Sequence, residues 1–134
     1  MTKIAWIEDD YEEISSLVRL LELDNFEVAR YRTRNDVEEK IGDILTCDAI
    51  ILDVVLPPIT EDEPHQGVSI LKLLRQKYHY TNPVVVCSAV RTPGVIESLQ
   101  KLKVSAILHK PLRPSVLYAE VKKFVQKDIG GEDK

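Results

Sequence analysis

With 134 residues, 44% hydrophobic and 30% charged, the chain makes one ordinary domain whose core needs no metal or disulfide staple. The two cysteines, Cys47 and Cys87, sit at the edge and in the middle of apolar runs with no Cys or His at metal-ligand spacing, so they read as reduced core thiols rather than a bridge or a zinc site. The net charge of −4 is unevenly spread: residues 1–90 carry 9 Lys+Arg against 17 Asp+Glu, whereas residues 91–127 carry 8 against 2, an acidic front suited to a cation and a basic back suited to an acidic partner.

Met1-Thr2-Lys3 leads directly into a strand, and no apolar stretch reaches the ~18 residues that a membrane helix needs. A cytoplasmic protein without membrane contact is expected. Residues 3–8 form the first predicted strand, which stops at Glu8-Asp9-Asp10. Asp10 then caps a helix, with Glu13 in capping-box position and Ile14, Leu17, Val18 and Leu21 at helical spacing. That helix ends near Asp24-Asn25. Phe26 to Tyr31 alternates as a second strand, and Thr33 caps a helix running through Leu45 with Val37 and Ile41 inward.

The third strand, Asp48 to Asp53, is apolar from Ala49 to Leu52 and so reads as buried on both faces, yet it ends on a carboxylate. Residues 56–67 hold three prolines and a cluster of acids without periodicity, which predicts a long loop. A helix follows from about Val68 to Tyr78. Asn82-Pro83 opens a fourth strand, Val84 to Ser88, and Thr92-Pro93 starts a fourth helix carrying Val95, Ile96, Leu99 and Leu102. A fifth strand, Ser105 to His109, runs into Lys110-Pro111, and Arg113-Pro114 begins the last helix with Leu117, Val121, Phe124 and Val125 on one face. One domain over residues 1–127 is expected, with a short frayed tail over 128–134.

Five strands alternating with five helices predict a parallel sheet covered on both sides. On such a sheet the acids after strand one, Asp53 after strand three, Ser88 after strand four and Lys110 after strand five all fall at carboxyl ends, where open α/β sheets place their ligands. Each alone reads as a turn acid, a helix cap, a strand-end hydroxyl or a surface lysine; their coincidence on one edge is the signal. Carboxylates gathered from two strand ends repel one another unless a cation joins them, and an incomplete set of hard oxygen ligands suits Mg²⁺ completed by substrate phosphate. Phosphoryl chemistry follows as an expectation, with Asp53 as nucleophile, Lys110 offsetting charge on the phosphoryl oxygens and the Ser88 hydroxyl donating to one of them.

These residues carry a family resemblance over essentially the whole chain. Ile7-Glu8-Asp9-Asp10, Ile51-Leu52-Asp53-Val54-Val55-Leu56-Pro57, Ser88-Ala89 and Lys110-Pro111 resemble the acidic pocket, phosphoacceptor segment, hydroxyl-Ala step and Lys-Pro of response-regulator receiver domains of two-component signalling. The resemblance implies a doubly wound, flavodoxin-like (βα)5 fold with strand order 2-1-3-4-5. It implies Mg²⁺ bound by Asp9, Asp53 and the Val55 carbonyl, with Glu8 acting through water, and a cis Lys110-Pro111 peptide. It also implies phosphoryl transfer from a sensor histidine kinase or phosphotransfer protein onto Asp53. A downstream effector, or a second copy of the chain, would read the face made by the fourth helix, fifth strand and last helix, with Lys101, Lys103, Arg113, Lys122 and Lys123 opposite few acids, Glu97 and Glu120.

Three departures stand out: the segment from Asp53 to Gly67 is longer than the family usually has, position 107 carries Ile107 where a switching aromatic is usual, and the sequence carries no output domain, as expected of either a stand-alone receiver or a fragment; no direct nucleic-acid contact is expected. The competing reading is a phosphorylation-independent interaction module, against which the complete set Glu8, Asp9, Asp53, Ser88 and Lys110 weighs. A flavin binder is disfavoured because Glu8-Asp9-Asp10 would repel the flavin phosphate, and a dehalogenase-like phosphatase because Val55 stands where its second acid belongs. His65 and His109 read as a solvated loop residue and a strand-end polar residue.

Overall fold

Alternation and apolar runs become five strands in the computed structural model, which describes residues 1–57 and 59–132 and side chains as far as Val125. They are β1 (Thr2–Ile7), β2 (Phe26–Tyr31), β3 (Ala49–Asp53), β4 (Val84–Ser88) and β5 (Ala106–His109). All pair in parallel, in the order β2-β1-β3-β4-β5. β3 and β4 are buried at every position, as central strands of a doubly covered parallel sheet must be.

The two-residue side-chain period divides the core. Ile4, Trp6, Ile51, Val85 and Cys87 face α1 (Tyr11–Leu23) and α6 (Pro114–Glu132), packing on Ile14, Leu17, Val18 and Leu21 and on Leu117, Val121 and Val125. Ala5, Ile7, Ile50, Leu52, Val84 and Val86 face the other layer, formed by α2 (Arg34–Glu39), α3 (Ile41–Leu45), α4 (Gln66–Lys72) and α5 (Pro93–Lys101). Both cysteines are free and buried, as expected. Among the described residues no helix is long and apolar enough to cross a membrane. The tail expected over 128–134 lies beyond the described side chains, and residues 133 and 134 lie outside the described residues.

Several helix details differ from expectation. The helix after Thr33 is broken at Lys40, which leaves helical geometry at φ −112 and ψ 24 while its N–H still donates to the Asp36 carbonyl; Ile41 then starts a separate short helix containing Gly42. Thr33 caps α2, but Asp36 completes the capping box. Asp10 caps α1 by accepting from the Glu13 amide, yet the return half of that box is missing: the Asp10 N–H donates to Glu8 Oε2, and Glu13 turns towards Lys110. Thr92 precedes α5 without a side-chain cap bond; its carbonyl instead accepts from the Val95 and Ile96 amides. α4 begins at Gln66 and passes at Leu73–Lys77 into a wider π turn, in which the Tyr78 amide reaches the Leu73 carbonyl. In this turn the Arg75 guanidinium donates to the carbonyls of Leu102, Tyr80, Asn82 and Lys103 at 2.6–3.0 Å, tying α4, the entry to β4 and the end of α5 together.

Candidate functional site

The alternation that points Ile4 and Trp6, Ile51, and Ala106 and Leu108 towards α1 and α6 continues past the strand ends to Glu8, Asp53 and Lys110. These side chains meet. Lys110 Nζ donates to Glu8 Oε1 at 2.5 Å and to Asp53 Oδ2 at 3.4 Å, and stands 3.7 Å from Glu13 Oε2. Glu8 and Asp53 are 1% and 5% exposed, whereas Asp9 is exposed. One oxygen from each of Glu8, Asp9 and Asp53 falls within 4.8 Å of the other two.

Burying acids together has an electrostatic cost. Desolvation pushes the Glu8 carboxyl up to about 8; the Lys110 hydrogen bond pulls the other way, and the Asp53 charge adds to the rise. For Lys110, burial disfavours the ammonium, but the bond to Glu8 and the charges of Asp53, Glu8 and Glu13 outweigh it and hold the lysine above its ordinary range. The pocket thus sets the Lys110 ammonium among acids whose ionisation burial and mutual repulsion oppose.

Backbone contacts fix the rest of the edge. Cys87 is the ladder partner of Asp53, so Ser88, 1% exposed, comes one step beyond it. The Ser88 Oγ accepts from the Val90 amide at 2.9 Å, which leaves its proton to donate, and the Ser88 carbonyl accepts from the Lys110 amide at 2.9 Å. The Lys110-Pro111 peptide is cis, as the resemblance implied. Val55 enters through its backbone, its N–H donating to Asp53 Oδ1 at 3.4 Å. The long loop is tied to two helices at Glu63, which accepts from Ser69 Oγ on α4 at 3.4 Å and lies 3.6 Å from Arg34 on α2.

Of the sequence-predicted residues, Glu8, Asp9, Asp53 and Lys110 converge, and Ser88 joins the same edge. Asp10 remains a helix cap. His65 occupies the N-cap position of α4 without a side-chain cap bond, and His109 pairs with Ser88 in the ladder; neither belongs to the acidic cluster. Two residues went unrecognised in the sequence. Glu13 was legible only as half of a capping box, and Gly67, whose amide donates to the Val54 carbonyl at 2.8 Å, signalled itself only as a glycine opening a helix.

A five-stranded parallel sheet with an acid pair, an aspartate, a hydroxyl and a lysine on its carboxyl edge defines a class of phosphoryl-handling α/β domains. The family model described as the response regulator receiver domain matches residues 4–122, and the chain belongs to that family. The general function of these receivers in two-component response regulators is that of a phosphorylation switch. The chain is similar in structure to a CheY-like receiver domain protein from Methanospirillum hungatei JF-1, with a TM-score of 0.83 and 18% identity over 98% of both chains. It is also similar to a two-component response regulator from Clostridium difficile, at 0.75 and 26% over 94% of this chain and 97% of that one. The BeF3-activated N-terminal receiver domain of Klebsiella pneumoniae RstA matches at 0.75 and 24%, covering 92% and 98%. No curated protein matches the chain significantly.

Proposed function

We propose that the chain accepts a phosphoryl group on Asp53 from the phosphohistidine of a sensor histidine kinase or phosphotransfer protein in the cytoplasm, with Mg²⁺ held by Glu8, Asp9, Asp53 and the Val55 carbonyl. The observation that carries this reading is the approach of three carboxylates from two strand ends to within 4.8 Å of one another. Their donors are all hard oxygens, and an open, partly exposed set of this kind fits an ion that retains waters. When bound, Mg²⁺ supplies positive charge that offsets the phosphoryl oxygens. An Asp53 oxygen attacks phosphorus; the O–P bond forms as the P–N bond breaks, and the imidazole leaves with the electron pair. Lys110, already against Asp53 Oδ2, balances the charge gained by the acceptor, and the Ser88 hydroxyl directs its free proton to a phosphoryl oxygen.

The signal leaves through the basic face of α5, β5 and α6. Lys101 and Lys122 there are paired with Glu97 and Asp24. That leaves Lys103, Arg113 and Lys123 for an acidic effector or for a second copy of the chain presenting Glu120.

Incubation with acetyl phosphate and Mg²⁺ adds one phosphoryl group by intact mass, and Asp53→Asn abolishes the gain. Undiminished labelling of that variant would exclude Asp53. Asp9→Ala weakens Mg²⁺ binding by about 1–3 kcal/mol, one charge-assisted contact; unchanged affinity would remove Asp9 from the ligand set. Full effector binding by Asp53→Asn would favour the phosphorylation-independent module instead.

A further inference from the structure

At the lip of the acidic pocket two arginines share one aromatic ring. The Cζ atom of Arg32 lies 4.2 Å from the centroid of Tyr11, and that of Arg30 lies 5.3 Å from it. Tyr11 opens α1 immediately after Asp9 and Asp10. Arg32 follows Tyr31, whose carbonyl accepts from the Glu8 amide at 2.9 Å. Arg30, the ladder partner of Trp6, and Arg32 therefore belong to the end of β2 beside the strand that leads to Glu8. Among the described residues neither pairs with a carboxylate, although residues 1–90 carry 17 acids against 9 basic residues.

We infer that Arg30 and Arg32, stacked on Tyr11, form an anion-binding ledge that receives the phosphoryl group of the incoming donor before transfer. This rests on the reading of Asp53 as the phosphoacceptor. A phosphodonor is an anion approaching a pocket crowded with carboxylates, and the long-range field opposes it. Guanidinium forks match phosphate oxygens, and cations placed at the entrance raise encounter rates with anions. Cation–π stacking orders the two long side chains beforehand, so less rotamer freedom is lost when an anion binds. Neither guanidinium spends its donors on a carboxylate among the described residues, so they remain for the ligand.

The test loads the full chain in Mg²⁺ from acetyl phosphate and, separately, from phosphoimidazole, at low and high NaCl. The double variant Arg30→Ala/Arg32→Ala loads about tenfold more slowly at low salt, and the gap narrows as salt screens the charges. Arg30→Lys/Arg32→Lys, which keeps both charges, loads faster than the double alanine variant. Loss of the phosphoryl group to water, a neutral nucleophile, proceeds at the wild-type rate in every variant and reports an intact pocket. A deficit with both donors assigns the ledge to the transferred phosphoryl group, and a deficit with acetyl phosphate alone assigns it to acyl phosphates. Equal loading by the double variant, or a deficit indifferent to salt, overturns the inference. A wild type that loads from neither donor overturns the phosphoacceptor reading itself, and this inference with it.

Discussion

Gly67 shows how tightly the end of β3 is packed. A Cβ placed there would lie 2.1 Å from the Asp53 carbonyl oxygen, 2.6 Å from Val54 Cα and 2.9 Å from the Asp53 carbonyl carbon. All three are backbone atoms and cannot swing aside, so the demand is for space and not for a left-handed φ. Gly67→Ala is expected to destabilise the fold by about 1–3 kcal/mol, the usual cost of overpacking. It should also slow loading of Asp53, because the strand end that carries the carboxylate has to move. Urea melts read the first effect, and an unchanged midpoint would show that α4 withdraws freely. The contrast with Asp53 explains what the sequence discloses at this scale. Glu8, Asp9, Asp53, Ser88 and Lys110 were legible because each interrupts or terminates an apolar run, where polarity is conspicuous. Gly67 and Glu13 act through partners distant in sequence, and nothing next to them marks those partners.

Among the elements, α5 is the one poised to shift. Leu99 is its one buried residue, and its first turns border a groove of about 380 Å³, with Val68 and Ser69 of α4 facing Thr92, Gly94, Val95 and Ser98. Little apolar contact is lost when its N-terminal half moves. Ile107 is partly buried in the same layer as Val90, Val95 and Val104; its branched side chain has a restricted χ1 and no polar tip for a partner to read. Beryllofluoride should therefore change amide exchange in α5 and the loop before it more than in β5. Large changes centred on Ile107 with α5 silent would transfer the switching role to that strand. The strands were read within a residue or so because run length and alternation are local properties. The break at Lys40 and the π turn around Arg75 were not, since the guanidinium's carbonyl partners come from the approach to β4 and from the end of α5, up to 28 residues away.

Across the whole molecule, burial sets the response to alkali. It pushes the Cys87 thiol up to about 12 and raises Cys47, Tyr31 and Tyr80 as well. The Tyr80 hydroxyl, moreover, donates to the Cys47 carbonyl at 2.9 Å. These groups stay protonated in the fold at pH values where the unfolded chain has begun to ionise them. Above a pH of about 9 the folded state therefore holds more protons, and stability falls as pH rises towards the folded values. Urea midpoints should be lower at a pH of about 10 than at about 8; constant midpoints would mean that the thiols and phenols open to solvent without unfolding.

Lys110 reaches Glu8 across 102 positions and Asp53 across 57. Closing so long a loop costs little more entropy than closing a shorter one, but it fixes an order of events. Glu8 and Asp53 are synthesised before the ammonium that meets them, so the chain's own offsetting charge arrives only with β5. The carboxyl edge is therefore completed by the last strand of the sheet, and a chain stalled before residue 110 lacks one of the groups that meet there.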